Sequence, residues 1–283
     1  MMAWKRFLDK RFEPLRKQWY CNRSVYVQLI KAMMHREVVF MRYSDNRNEV
    51  VLHRNLKINH HVYFFKNIER YHFFTEPQNL YASLSLMPNA PMFSHNIKKK
   101  KEEQKEFIKS HLNYLTTYDF LFDMDANPEK GYTIKDAYFE TKLLKELLDR
   151  KRIPYILTWS GNKGFHLRIP YETFPGWMKE LKIKDLVKIF KEFTTNFKQV
   201  KNFQLIDDTL MDTRRIFKLP YSVVYPEYFV CIPLSDEEFD NFDFPGSVSL
   251  LTWINKINQV YNRGLLQRDG DPESFGKLVK RYI

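Results

Sequence analysis

The chain has 283 residues, 44% hydrophobic and 28% charged, with 46 Lys and Arg against 34 Asp and Glu for a formal net charge of +12. That length buries a sizeable core and the composition excludes disorder as the main state, while 8 Gly and 13 Pro exclude a collagen-like or low-complexity polymer. The basic surplus favours polyanionic partners, nucleic acid or nucleotides first, with plain solubility as the other reading.

Two cysteines, Cys21 and Cys231, can neither form a disulfide framework nor complete a four-ligand zinc site, so a reducing compartment is expected. The opening MMAWKRFLDKRF has no export-signal pattern, and no run reaches about 18 uninterrupted apolar residues. A cytoplasmic protein without a membrane partner is expected. Residues 1–34 read as a helical lead-in, in which Ser24 caps a helix carrying Val25, Val27, Leu29, Ile30 and Met33 near helical spacing. Between Glu37 and Ser85 the runs VVFMRY, EVVLHR and HVYFF predict strands. The charge run from Ser94 to Glu106 reads as an exposed loop or helix start.

From Tyr118 to Asp125, Tyr118, Phe120, Phe122 and Met124 alternate with Asp119, Leu121, Asp123 and Asp125, the period-two pattern of a strand. Thr133 then caps a predicted helix to about Arg150, with Ile134, Ala137, Tyr138, Leu144, Leu147 and Leu148 as its apolar stripe. Tyr155–Trp159 and Phe165–Ile169 predict strands joined by the turn SGNKG, followed by an amphipathic helix over Trp177–Phe197 and a strand over Arg215–Leu219. Residues 236–283 read as a mainly helical extension packed on the core.

Three clusters carry chemistry. Asp123 and Asp125 stand two apart on a strand, so both carboxylates leave one face and can share a hard cation; solvated acids at a strand end are the alternative. In Ser160-Gly-Asn-Lys163-Gly-Phe-His166, two glycines free the backbone while a hydroxyl, an ammonium and an imidazole suit phosphate; alone, it also reads as a hairpin turn. Asp207 and Asp208 precede a basic strand, so one more carboxylate could join the first two while Arg215 or Lys218 neutralises a triphosphate.

In this order the clusters resemble the catalytic motifs of the archaeo-eukaryotic primase superfamily. LFDMD at Leu121–Asp125 resembles its Asp-x-Asp motif and SGNKGFH at Ser160–His166 its Ser-Gly-x-x-Gly-x-His motif. Ile206-Asp207, then RIFKLPYS ending at Ser222, resembles the third. Upstream, HREVVF at His35–Phe40 is similar to the opening of primase small subunits, with Arg54 in their triphosphate-contacting arginine position. The likeness covers roughly residues 35–235. It implies a mixed α/β primase-type fold with the acids on a central mixed sheet flanked by helices. It also implies nucleotide transfer from NTP or dNTP to a 3′-hydroxyl by two Mg²⁺ or Mn²⁺ ions.

The segment after Asp125, ANPEKGYTIKDA, holds no Cys or His, so no zinc is expected; Val224 stands where many members carry a histidine. The spacing from the third acid to Pro220 is one residue short, which leaves Asp207 and Asp208 in competition. The reading is a template-directed primase-polymerase core. Asp123, Asp125 and Asp207 hold metal, and Ser160, Lys163, His166, Lys218, Arg54, Arg215 and Ser222 hold the nucleotide. Single-stranded or primer-template nucleic acid is the expected partner, beside a larger primase or replication partner. A non-catalytic single-strand-binding domain and an Asp-x-Asp glycosyltransferase are the alternatives, although neither accounts for all three clusters.

Overall fold

The computed structural model describes residues 2–43, 49–54, 78–87, 115–209, 211–213, 215–225 and 227–283. The expected HVYFF strand and the Ser94–Glu106 charge run lie outside the described residues. Helices Met2–Cys21 and Arg23–Met33 open the chain. The cap expected at Ser24 sits two residues earlier, because Asn22 is the extended residue and its side chain accepts from the Ser24 N–H.

The class is mixed α/β, and the sheet expected as one mixed unit resolves into antiparallel layers. One sheet runs β2 (Glu49–Arg54), β1 (Arg36–Tyr43), β3 (Gln78–Leu86) and β4 (Thr117–Tyr118), with β8 (Ile216–Lys218) also paired to β3. The other runs β11 (Ile232–Pro233), β6 (Ile156–Trp159), β7 (Gly164–Ile169) and β5 (Phe120–Asp125). The β6–β7 connection is four residues, which only antiparallel neighbours can use. A small pair, β9 (Val223–Val224) and β10 (Phe229–Val230), completes the described ladders.

Asp119 is where the chain changes sheets. Tyr118 pairs with Ser85 of β3, whereas Phe120 pairs with Ile169 of β7, and between them the Asp119 N–H bonds the Leu84 carbonyl at 3.0 Å. Its fully buried carboxylate takes bonds from Arg36 of β1 and Arg168 of β7, and from the Tyr171 N–H at 2.9 Å. Both guanidinium groups also lie over the Phe217 ring of β8, at 5.7 and 5.5 Å. Burial raises the cost of that charge, and the two arginines more than offset it, holding the Asp119 carboxyl below the usual range.

Alternation then decides which face of β5 meets the core. Phe120 and Phe122 turn towards Phe190, Phe193 and Phe197, with ring centroids 4.6–6.1 Å apart along this layer. Each such ring pair adds about 0.5–1.5 kcal/mol beyond its buried area. The three phenylalanines belong to helix Ile183–Lys201. The helix expected over Trp177–Phe197 divides there, because Lys182 is extended and its carbonyl opens the longer helix by accepting from Asp185 and Leu186. Helix Ile134–Arg150 packs on the same sheet face, with the expected Thr133 cap formed as a reciprocal box with Asp136. The opposite face carries Asp123, Asp125, His166 and Arg168. Among the described residues no helix is long and apolar enough to cross a membrane.

Candidate active site

Register places the first two motifs together. On the β5–β7 ladder Asp123 lies opposite His166 and Asp125 opposite Gly164, while His166 also pairs with Thr158 of β6. A Cβ on Gly164 would stand 2.0 Å from the Met124 carbonyl oxygen, so only glycine lets the turn close against the acids. Gly161 has φ +89°, and a Cβ there would meet Val224 Cγ2 at 2.3 Å. Val224, in the position where a histidine is expected from the resemblance, therefore shapes the Ser160–His166 turn by packing.

An open cleft of about 160 Å³ lies between the two sheets. One wall is Asp123, Asp125, Ser160, Asn162, Lys163 and His166; the other is Tyr81 of β3 with Arg215, Ile216, Phe217 and Lys218 around β8. The pairing of Tyr81 with Lys218 across the β3–β8 ladder builds that second wall. Of the sequence-predicted residues, Asp123, Asp125, Ser160, Lys163, His166, Arg215 and Lys218 thus share one cleft. Asn162 and Phe217 join them from inside the same motifs, and Tyr81 joins without a local sequence signal, since its place depends on the pairing of β3 with β8.

Others stand apart. Asp207 is drawn to the site by its backbone, whose N–H donates to the Asp123 carbonyl at 3.0 Å next to a bridge between Met124 and Ile206. Its carboxylate accepts from the Thr209 N–H (2.9 Å) and hydroxyl (2.6 Å), and Arg215 Nη2 lies 3.9 Å away. Asp208 instead faces Lys198 at 3.4 Å. Of the two competing acids, Asp207 is thus the one whose carboxylate builds a turn onto Thr209. Ser222 is buried off the cleft, with its hydroxyl donating to the Leu219 carbonyl at 2.6 Å. Arg54 ends β2, paired with Val39, and its side chain lies outside the described residues.

Charge in the cleft is uneven. His166 Nε2 approaches Asp123 Oδ1 to 3.4 Å and Lys163 Nζ approaches Asp125 Oδ2 to 3.3 Å. Burial works to raise the Asp123 carboxyl, but His166, then Arg215 and Lys218, hold it below the usual range. Asp125 moves the other way, pushed up by burial and then by the charge of Asp123, which Lys163 only partly offsets. Burial draws the Lys218 ammonium below the usual lysine range, with Asp125 and Asp123 among the groups opposing it.

A hard divalent cation fits Asp123 and Asp125. Asp123 Oδ1 is buried without a hydrogen-bond partner, and two carboxylates on one strand face form an oxygen donor set suited to Mg²⁺ or Mn²⁺. Among the described residues no group of three or more His, Cys, Asp or Glu side chains converges as ready metal ligands.

No family model matches the chain, and no curated protein matches it in sequence. Among solved structures it is similar to the polymerase domain of Mycobacterium tuberculosis Ligase D in complex with DNA. That likeness has a TM-score of 0.54 at 12% identity and covers 95% of this chain and 92% of that one. The fold of this chain is thus shared with a polymerase domain. Weaker likenesses are to the catalytic domain of primase RepB' in complex with initiator DNA (TM-score 0.37, 9% identity, 86% of this chain and 98% of that one). A second primase RepB' structure gives a TM-score of 0.36 at 9% identity over 92% of this chain and 69% of that one.

Proposed function

We propose that this chain is a template-directed primase-polymerase core, spanning residues 35–235, that joins nucleotides from NTP or dNTP to a 3′-hydroxyl. The observation that carries the reading is the single cleft in which Asp123 and Asp125 stand beside the Ser160–His166 turn and across from Lys218. The fold shared with a polymerase domain supports it.

Asp123 and Asp125 would hold Mg²⁺ or Mn²⁺, with Asp207 as the third carboxylate once its bonds to Thr209 open. Bound there, the ions would polarise the attacking hydroxyl and offset charge on the leaving pyrophosphate. Ser160 and Lys163 bind phosphate oxygens at the turn, whose two glycines let backbone and ligand approach closely. His166 both steadies Asp123 and faces the phosphates. Lys218, on the opposite sheet, places a second cation across the cleft and so orients the triphosphate between the two walls. Arg215 and Arg54 add to that grip. The surplus of positive charge holds single-stranded or primer-template nucleic acid through its phosphates without base reading.

The test is nucleotide incorporation on primed and unprimed templates with Mg²⁺, Mn²⁺ or chelator. Metal-dependent extension that Asp123→Asn abolishes is expected. Salt-sensitive DNA binding without incorporation would instead leave a single-strand-binding module.

A further inference from the structure

Every acid assigned to the metal has a basic side chain of the protein beside it. Lys163 Nζ is 3.3 Å from Asp125 Oδ2, Arg215 Nη2 is 3.9 Å from Asp207 Oδ2, and His166 Nε2 is 3.4 Å from Asp123 Oδ1. All three are longer than the charge-assisted hydrogen bond of about 2.7–2.9 Å. In the first two pairs the side chains are between 32% and 48% exposed, so water competes at each and the pairs hold loosely. The contrast lies in the same fold. Where a charge serves the framework, as at Asp119, both arginines bond it directly in full burial. The two loose lysine and arginine contacts are also made by the side chains that line the cleft where a triphosphate must lie.

We propose that Lys163 and Arg215 are exchangeable counter-ions. In the resting site they neutralise Asp125 and Asp207, and they leave those carboxylates for phosphate oxygens when a nucleotide enters with its divalent ion. This rests on the nucleotidyl-transfer reading and adds to it an order of events. A divalent ion alone must displace Lys163, so it binds weakly. A triphosphate draws Lys163 and Arg215 away, so the carboxylates are released for the ion, and by linkage the ion strengthens triphosphate binding by the same factor. Asp123 Oδ1, a buried carboxylate oxygen without a hydrogen bond and with only the His166 ring beside it at 3.4 Å, is then the first contact for the ion.

The experiment measures free Mn²⁺ by electron paramagnetic resonance during titration of the protein, with and without a non-hydrolysable deoxynucleoside triphosphate. Lys163→Met is expected to bind Mn²⁺ alone on the order of fivefold more tightly than the wild type, since a surface ion pair is removed as competitor. It should also lose most of the nucleotide's enhancement. Lys163→Arg, which keeps the charge, should retain wild-type affinity for Mn²⁺ alone, and Asp123→Asn with Asp125→Asn should lose it. Unchanged or weaker Mn²⁺ binding by Lys163→Met overturns the counter-ion role and leaves the nucleotidyl-transfer reading intact. No Mn²⁺ binding by the wild type, even with nucleotide, overturns both.

Discussion

Asp123 and His166 face one another across the β5–β7 ladder, with Oδ1 and Nε2 3.4 Å apart. The imidazole is the largest influence holding Asp123 below the usual carboxyl range against the cost of burial. His166 thus has two partners in the proposed reaction, a carboxylate and a phosphate. His166→Ala should lower kcat/KM for nucleotide incorporation on the order of 10–100-fold, the range found for groups that support metal ligands. Single-nucleotide incorporation across nucleotide concentrations should show both kcat and KM affected. Wild-type kinetics would return SGNKGFH to the status of a structural turn.

Asp125 is a liability to the fold. Burial and its neighbour Asp123 both oppose its ionised form, and its contact with Lys163 is too solvent-exposed to repay much. Asp125→Asn should raise Tm by about 1–2 °C while removing incorporation, as expected where a site stores repulsion for function. Thermal unfolding at neutral pH without divalent ions checks this, and a lowered Tm would refute it.

The Ser160–His166 turn depends on what lies above it. Trp19 Nε1 donates to the Tyr221 carbonyl and the Tyr20 hydroxyl accepts from the Val223 N–H, so the first helix fixes the strand that seats Val224 over Gly161. Gly161→Ala meets both the positive φ and the 2.3 Å contact with Val224. It should cost about 2–5 kcal/mol in denaturant unfolding. Adding Val224→Ala should recover the steric part alone. No recovery would mean that backbone conformation, not packing, sets the requirement.

Local patterns made half of this architecture legible. The alternation from Phe120 to Met124 names the face that meets Phe190 and Phe193, and therefore the face left to Asp123 and Asp125. The same alternation places Asp119 in the acid row but says nothing of its partners, because Arg36 lies 83 residues away. Tyr81 and Lys218 meet through pairing between distant strands, which no local period encodes. Ser222 belongs to a matching motif, yet its hydroxyl closes a turn onto Leu219 and the residue does not line the cleft. Motif matching assigns a residue to a neighbourhood; the direction of its side chain follows from hydrogen bonds that compete for it.

Asp119 should govern acid stability. Its folded carboxyl is depressed below 3.8 by Arg36 and Arg168 against the cost of burial, so the stability it contributes is present above the unfolded value and lost as pH falls through the folded one. Asp119→Asn leaves two buried guanidinium groups unpaired and should cost about 3–5 kcal/mol at neutral pH. The gap between wild type and variant should narrow as pH drops below about 4. A gap constant from pH 7 to pH 3 would show that hydrogen bonding rather than charge holds the triad.

The choice between Asp207 and Asp208 turns on what each one touches. The Asp207 N–H bonds the carbonyl of Asp123, which sets its backbone beside the acid pair, while Asp208 turns to Lys198 on a helix. The carboxylate of Asp207 is held by Thr209 and approached by Arg215, so joining Asp123 and Asp125 means giving up two hydrogen bonds. Those two bonds together are worth about 1–3 kcal/mol, a cost that ion–carboxylate attraction can meet when nucleotide and metal are both present. Asp207→Asn should therefore abolish primer extension at saturating metal and nucleotide, and Asp208→Asn should keep most of it. Thr209→Val removes the hydroxyl bond while leaving the backbone one, and should lower the Mn²⁺ concentration needed for half-maximal extension. A dead Asp208 variant beside an active Asp207 variant would reverse the assignment, and an unchanged metal requirement in Thr209→Val would show that the turn exerts no hold on the third carboxylate.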